Sequence, residues 1–439
     1  MTPHGGIYTQ SLKMEKKPLK TSLWVSSTYF AEGLPYMIVR FISTVFFTDL
    51  GVREAFLGFI NFFGIPWNLK FLWAPLLDIF GTKRRWMVRM QAAITIAIFA
   101  IACLAGFTQA GTDGVMLKAT AFLFVTLAFL SATNDIAIDA YYMEGLTDRG
   151  DQAAYSGLRI MAYRIAVIYS RTVLVAIAAV ANWFWGFAAG SLTMGVFFAG
   201  HALFLPHFEK ERTADGRAFW EKLHAFGESF RSYLRQERMA LVLPFIITYP
   251  LADQMLFAMS TPFLMRELGV TKLQIAWLGG LVGAVSAIAG ALIGSWWIKK
   301  VSLRKAIWPI VLIMNLNIWA YVFLAWYRPS AATTSGLALI AVIHGYENIA
   351  AGLGNVALMI YLMRLCLTEF KAAHFAIGSA IMSLGANIIG GFAGIIVEHF
   401  GYANLFIMGF IAAIPSMLLL FFIPLHENES PHPPFAKGG

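Results

Sequence analysis

The chain has 439 residues, of which 59% are hydrophobic and only 13% charged, with 38 glycines and a formal net charge of +9. A soluble domain carries roughly 25% charged residues, so a water-soluble core does not account for this composition and an all-α membrane protein is expected. The two cysteines, Cys103 and Cys366, fall in or at the end of apolar runs and offer no disulfide framework.

Reading apolar runs of about 20 residues or more as spans predicts twelve, at 22–48, 55–80, 86–107, 116–144, 151–178, 181–205, 239–266, 272–298, 305–327, 335–364, 371–396 and 402–425. The N-tail, 1–21, holds lysines but no short apolar run ending in a cleavable small-residue site, so span 1 is read as a retained helix. An ionisable side chain at bilayer depth costs ~2.5 kcal/mol or more and therefore faces a bundle interior or a wet cavity.

Span 1 carries Glu32 and Arg40, eight apart on nearly the same face, with Gly33 and Pro35 between them to loosen the helix. Two readings stay open: a break that serves alternating access, or a packing kink with Glu32 held by a neighbouring cation. Lys70 in span 2 either faces inward or snorkels along Trp67 and Trp73. Span 4 brings Asn134, Asp135 and Asp139. The two aspartates are four apart, so both project from one helix face and repel unless one keeps a proton or nearby cations compensate. The first case makes a proton carrier, with Asp135 the deeper candidate; the second is a static ion pair with Arg159 or Arg164 of span 5. Arg164 and Arg171, seven apart, share a face from which Arg159 is turned away. A guanidinium stays charged and grips carboxylates in a bidentate fork, which suits an anionic substrate, although pairing with Asp135, Asp139 or Glu32 is the alternative.

Between spans 6 and 7, residues 206–238 form a charged connector with seven basic and six acidic residues. Asp253 then follows Pro250 in span 7, and Glu347 lies in span 10 beside His344. A lone membrane histidine is more often a hydrogen-bonded packing residue than a proton relay. Away from the span ends, the acids thus keep to spans 1, 4, 7 and 10, a spacing of three that points to one central cavity. Gly279/Gly283, Gly290/Gly294 and Gly390/Gly394 have the spacing that lets helices approach closely. Most lysines and arginines fall in the tails and alternate loops, which should put both termini, including the C-tail 426–439, in the cytoplasm. These basic clusters sit in short loops beside lipid-length spans, so they suit anionic lipid and not nucleic acid.

The two halves repeat. Leu50-Gly51-Val52 matches Leu268-Gly269-Val270, Leu57-Gly58 matches Leu278-Gly279, and the loop from Ala74 through Asp78, Gly81, Lys83, Arg84 and Arg85 matches Gly294 to Lys305. Two six-helix halves, 22–205 and 239–425, are implied, with a binding site between them near the midplane.

That loop resembles the signature of the major facilitator superfamily, with Ala74 in place of its first glycine and Ile79 in place of a basic residue. The resemblance implies an inner-loop latch of Asp78, Gly81, Lys83 and Arg84, and a cavity lined by spans 1, 4, 7 and 10. Tyr29-Phe-Ala-Glu-Gly-Leu-Pro35, Leu69 to Asp78, Ala132 to Tyr141 and Glu347 to Gly354 look like the AmpG-type muropeptide permease branch, which also contains acetyl-CoA transporters and some siderophore importers. That branch typically has Gln where Asn134 stands.

No GxxxxGK[ST] loop, HExxH or paired-Cys spacing occurs, so ATP-driven pumping and zinc chemistry have no support and no cofactor is expected. The expected function is proton-coupled import of an anionic wall-derived muropeptide across a bacterial inner membrane. Its partners are then a small anionic substrate, protons and lipid, with a monomer as working unit. Asp135, Asp139 and Glu32 are the proton candidates; Arg40, Arg164, Arg171, Asn134, Asp253 and Glu347 are the substrate candidates. Siderophore import is the alternative within transport. A membrane-embedded transferase would need a compact catalytic pair, against which acids spread over four spans speak.

Overall fold

The computed structural model describes residues 19–107, 114–208, 224 and 227–425; both tails and most of the charged connector lie outside the described residues. Among the described residues, eleven helices are long and apolar enough to cross a membrane: Thr21–Asp49, Glu54–Leu72, Lys83–Phe107, Gly114–Gly145, Gly150–Val180, Trp183–Phe204, Met239–Arg266, Lys272–Val301, Leu303–Tyr327, Thr334–Arg364 and Ala373–Leu419. The last has 47 residues. At 1.5 Å per residue it would measure about 70 Å, over twice the ~30 Å of a hydrocarbon core. It reverses at Gly401, whose φ of 79° lies in the region glycine alone enters freely. Spans 11 and 12 are therefore joined without a loop, which accounts for the difference from the twelve predicted.

Several spans are broken where the sequence removes a backbone donor or weakens the helix. Past Pro35, span 1 widens into a π turn at Ile38–Ile42 before resuming as an α-helix. Spans 5 and 8 carry π turns too, at Ser170–Leu174 and Leu278–Gly283. Span 2 alternates α and 3-10 segments and stops at Leu72, short of the predicted 80; Ala74–Ile79 is a separate short helix. Pro250 interrupts span 7 between Met239–Thr248 and Leu251–Arg266.

The apolar packing reveals how the halves meet. At the end remote from the chain termini, one buried cluster runs through both halves, from Phe46, Phe47, Phe124 and Phe187 to Phe263, Tyr321 and Phe406. Toward the termini it divides into two, one around Trp24, Tyr141 and Tyr142 in the first half and one around Phe245, Tyr361 and Met314 in the second. The halves are thus closed together at one end and separate toward the other.

Glycines make that closure possible. A Cβ on Gly394 of span 11 would stand 1.8 Å from the Glu54 carbonyl oxygen of span 2, and one on Gly58 2.7 Å from the Gly391 carbonyl. A Cβ on Gly280 of span 8 would stand 2.0 Å from Thr172 Oγ1 of span 5. Ion pairs cross the same seam. Arg266 Nη1 lies 2.6 Å from Glu54 Oε1, and its other nitrogen donates to the Thr48 and Val52 carbonyls at 3.1 and 2.7 Å. Lys272 Nζ binds Asp49 Oδ2 at 3.0 Å. Arg53 reaches Glu398 through two nitrogens, at 3.1 and 2.9 Å, but its side chain is 83% exposed, so solvent screening leaves this pair little weight. None of the charged residues of this seam was singled out by sequence. Asp49, Glu54, Arg266 and Lys272 lie at the ends of spans, where sequence alone marks only orientation.

Candidate functional site

Six ionisable or hydroxyl side chains from four spans converge inside the first half. Tyr29 and Glu32 are one turn apart on span 1, and Asp135 and Asp139 one turn apart on span 4; Lys70 comes from the 3-10 segment of span 2 and Arg159 from span 5. The Lys70 ammonium donates to Asp135 Oδ2. The Tyr29 hydroxyl donates to Asp139 Oδ1 at 2.8 Å and accepts from Arg159 Nη1 at 3.2 Å, and Arg159 stands 3.7 Å from the same carboxylate. The Glu32 carboxyl group lies beside Asp135, and Glu32 Oε2 is buried with no hydrogen-bond partner. Neighbouring buried carboxyl groups repel when both are ionised, so a proton on one of them is favoured. With every group ionised, three acids face two bases, so a single added proton brings the cluster to neutrality.

This settles two questions the sequence left open. Lys70 faces inward and does not snorkel, because the 3-10 turn at Lys70–Leu72 aims it at span 4. Asp135 therefore pairs with span 2 and not with a span 5 arginine; the span 5 partner, Arg159, belongs to Asp139.

A second group of polar residues lies between the halves. A cavity of about 150 Å³ midway along the spans is lined by Tyr36, Arg40, Trp67 and Asn68 from the first half and by Gln254, Asn355, Ser383 and Asn387 from the second, among others. Beyond it, toward the closed end, a narrow chamber of about 40 Å³ is lined by Arg40, Asn61, Arg171, His344, Glu347 and Asn348, with Phe41, Ile60, Leu264 and Leu278 among its apolar walls. Arg40 borders both. Its Nη1 donates to the Asn61 carbonyl at 2.9 Å, and Gly64 leaves room for the guanidinium, since a Cβ there would stand 2.6 Å from Arg40 Nη1. Arg171 lies over the Phe41 ring at 4.5 Å and donates to the Gly279 carbonyl across the seam at 3.2 Å. Arg40, Arg171 and Gly279 all occupy π turns, which recur at functional sites because the extra residue redirects side chains.

The other sequence candidates are dispersed. Glu32 and Arg40, expected to share a face, serve different compartments, because Pro35 and the π turn intervene. Asn134 is fully buried against span 1, its amide 3.4 Å from the Ala31 carbonyl, and lines neither the cavity nor the chamber. Arg164 is exposed and lines neither, so it forms no ladder with Arg171 there. Asp253 is partly buried one residue before the cavity-lining Gln254. In the inner loop Gly81 adopts a φ of 74°, Lys83 is buried with Nζ on the Leu77 carbonyl at 2.7 Å, and Arg84 binds the end of span 6 at the Ala202 and Leu205 carbonyls. The Asp78 side chain lies outside the described residues. Sequence reasoning passed over Asn61, Asn68, Asn348, Asn355 and Asn387. A search for charge misses them, whereas amides in the middle of apolar runs were a usable signal.

Comparison with known proteins agrees with this architecture. A family model described as Major Facilitator Superfamily matches residues 25–351 and 252–438. The chain is 27% identical to the anhydromuropeptide permease of Escherichia coli (strain K12), over 94% of the chain and 81% of the permease. It is 26% identical to putative transporter AmpG 4 of Rickettsia felis, over 90% of this chain and 94% of that one. Among solved structures, a bacterial homologue of the human lysosomal transporter Spinster, inward-facing and unoccupied, superposes with a TM-score of 0.64 at 14% identity, covering 91% of this chain and 95% of its own.

Proposed function

Since the chain belongs to the major facilitator superfamily, and is a transporter and not an enzyme, we propose that it is a proton-coupled importer of an anionic, wall-derived muropeptide across the bacterial inner membrane. The observation that carries this reading is the separation of two polar compartments. The acid cluster around Asp135 is one proton short of neutrality and is built wholly from side chains of the first half. The cavity and chamber between the halves offer two guanidiniums, four aromatic rings and several amides. The first has the composition of an ion-coupling site, the second that of a site for a ligand rich in hydroxyl, amide and carboxylate groups. The similarity to the Escherichia coli permease supplies the ligand class. Closure at one end only is the geometry of one extreme of alternating access.

Uptake into right-side-out and inside-out vesicles containing the protein, with anhydromuropeptide, a ferric siderophore and acetyl-CoA in parallel, tests the proposal. Accumulation of the muropeptide in right-side-out vesicles, dependent on an inward proton gradient, is expected. Uptake of the siderophore or of acetyl-CoA in its place would overturn the ligand assignment.

Import in this sense requires the open end to face the cytoplasm, with both termini there, as the basic loops favour. A C-terminal reporter that is active only in the cytoplasm should therefore report activity, and activity of a periplasm-only reporter would reverse the orientation.

Within the chamber, Arg171 is expected to bind ligand carboxylate. A lost charge-assisted hydrogen bond costs about 1.5–3 kcal/mol, so Arg171→Ala should weaken muropeptide binding by roughly ten-fold or more while melting close to wild type. Unchanged affinity in calorimetry of the well-folded variant would remove Arg171 from the site.

A further inference from the structure

The chamber has a positive side and a negative side, and they come from different halves of the molecule. The first half contributes the guanidiniums of Arg40 and Arg171. The second contributes the Glu347 carboxylate, which is 7% exposed. Asn348 holds that carboxylate, donating to Glu347 Oε2 at 2.7 Å and to the His344 carbonyl at 2.8 Å. His344 is itself fixed by the Tyr321 hydroxyl, 2.9 Å from Nδ1.

Arg171 and Glu347 face each other across this space without forming an ion pair. The Arg171 contacts are the Gly279 carbonyl and the Phe41 ring, and its Nε is buried with no hydrogen-bond partner. Two buried opposite charges in a medium of low dielectric would gain from direct contact. Here Asn348 restrains one, and the π turn with its Phe41 and Gly279 contacts restrains the other. The narrow space between them is lined by both charges, and on the Arg171 wall the Nε hydrogen-bonding capacity is unused.

Resting on the reading of this chamber as part of the substrate site, we propose that it receives a dipolar end group, with a carboxylate directed to Arg171 and Arg40 and an ammonium directed to Glu347. The ligand class is then a peptide arm carrying a free amino group beside a free carboxylate, as distinct from a plain polyanion. A guanidinium pair alone accepts any anion; the buried carboxylate opposite repels a second anionic group and selects for the cation. Because each charge of the ligand is held by a different half, such a group also bridges the seam.

Titration calorimetry on the full-length protein in lipid nanodiscs, with anhydromuropeptide whose peptide amino group is free or N-acetylated, reads this directly. Wild type should bind the acetylated form at least about ten-fold more weakly. Glu347→Gln, nearly isosteric, should bind the two forms equally, whereas Arg171→Gln should still discriminate between them but become insensitive to amidation of the peptide carboxylate. Equal wild-type affinities for free and acetylated ligand, or a Glu347→Gln protein that still discriminates, would overturn the dipolar assignment while leaving muropeptide binding intact. If wild type binds neither form, the muropeptide reading fails. The charge pattern is then tested with free dipeptides against dicarboxylates: preference for dipeptides supports it and preference for dicarboxylates overturns it. Melting curves of both variants report whether they fold.

Discussion

Asp135→Asn is expected to abolish uptake driven by a pH gradient while leaving counterflow exchange and thermal stability near wild type. The argument is one of charge balance around Lys70. In the wild type, Glu32, Asp135 and Asp139 face Lys70 and Arg159, an excess of one acid that a proton can cancel. Asparagine reproduces the shape of a protonated aspartate but cannot release a proton, and it leaves two acids against two bases. The cluster is then permanently neutral, Lys70 retains Glu32 and Asp139 nearby, and exchange needs only alternating access. Lys70→Met should behave in the opposite way. It leaves three acids with Arg159 alone, and removing one partner of a buried ion pair typically costs ~3–5 kcal/mol, so stability and every transport mode should fall together. Vesicles containing each purified variant, assayed for accumulation and exchange, separate the two. Accumulation at the wild-type level by Asp135→Asn would eliminate this carboxyl as the proton carrier.

Gly394→Leu is expected to open the closed end. The Cβ alone would stand 1.8 Å from the Glu54 carbonyl oxygen, and both partners are backbone in helices, so neither can give way cheaply. Overpacking of a tight contact costs typically ~1–3 kcal/mol, which corresponds to roughly a ten- to hundred-fold shift in population away from the closed seam. Thr44 lines the chamber just below that seam. In a background without Cys103 and Cys366, Thr44→Cys should react about ten-fold faster with an impermeant thiol reagent, added from the side remote from the termini, once Gly394→Leu is present. Unchanged reactivity would mean that the glycine contact does not govern closure.

How much of this was legible beforehand depends on the kind of interaction. The apolar spans follow from hydropathy, which acts residue by residue, whereas the acids expected to face one central cavity divide between a cluster inside the first half and Glu347 in the chamber. The partner of Asp135 was not legible, because it is set by how span 2 packs on span 4, and the 3-10 turn that aims Lys70 leaves no periodic trace. Assigning Glu32 and Arg40 to one face failed for a related reason. A helical wheel assumes 3.6 residues per turn, and the π turn at Ile38–Ile42 breaks that count. Small-residue spacing correctly flagged Gly394 as a packing site, but its partner on span 2 emerged only in three dimensions. Asp49, Glu54, Arg266 and Lys272 carried no signal, since a charge at the end of a span has the same appearance in sequence whether it is solvated or bridges two halves.

The reversal at Gly401 bears on how the protein meets the lipid around it. Span 11 carries the glycine seam, and span 12 starts at once on the far side of a single residue, with no slack segment to absorb displacement. Any swing of span 11 away from span 2 is handed on mechanically to span 12, whose Met408, Ile411, Ile414 and Leu418 form an exposed apolar stripe. The stroke that opens the seam therefore displaces acyl chains as well as protein. Part of the energy separating the two states is elastic work done on the bilayer, and the thickness and lateral pressure of the membrane become variables of the transport cycle.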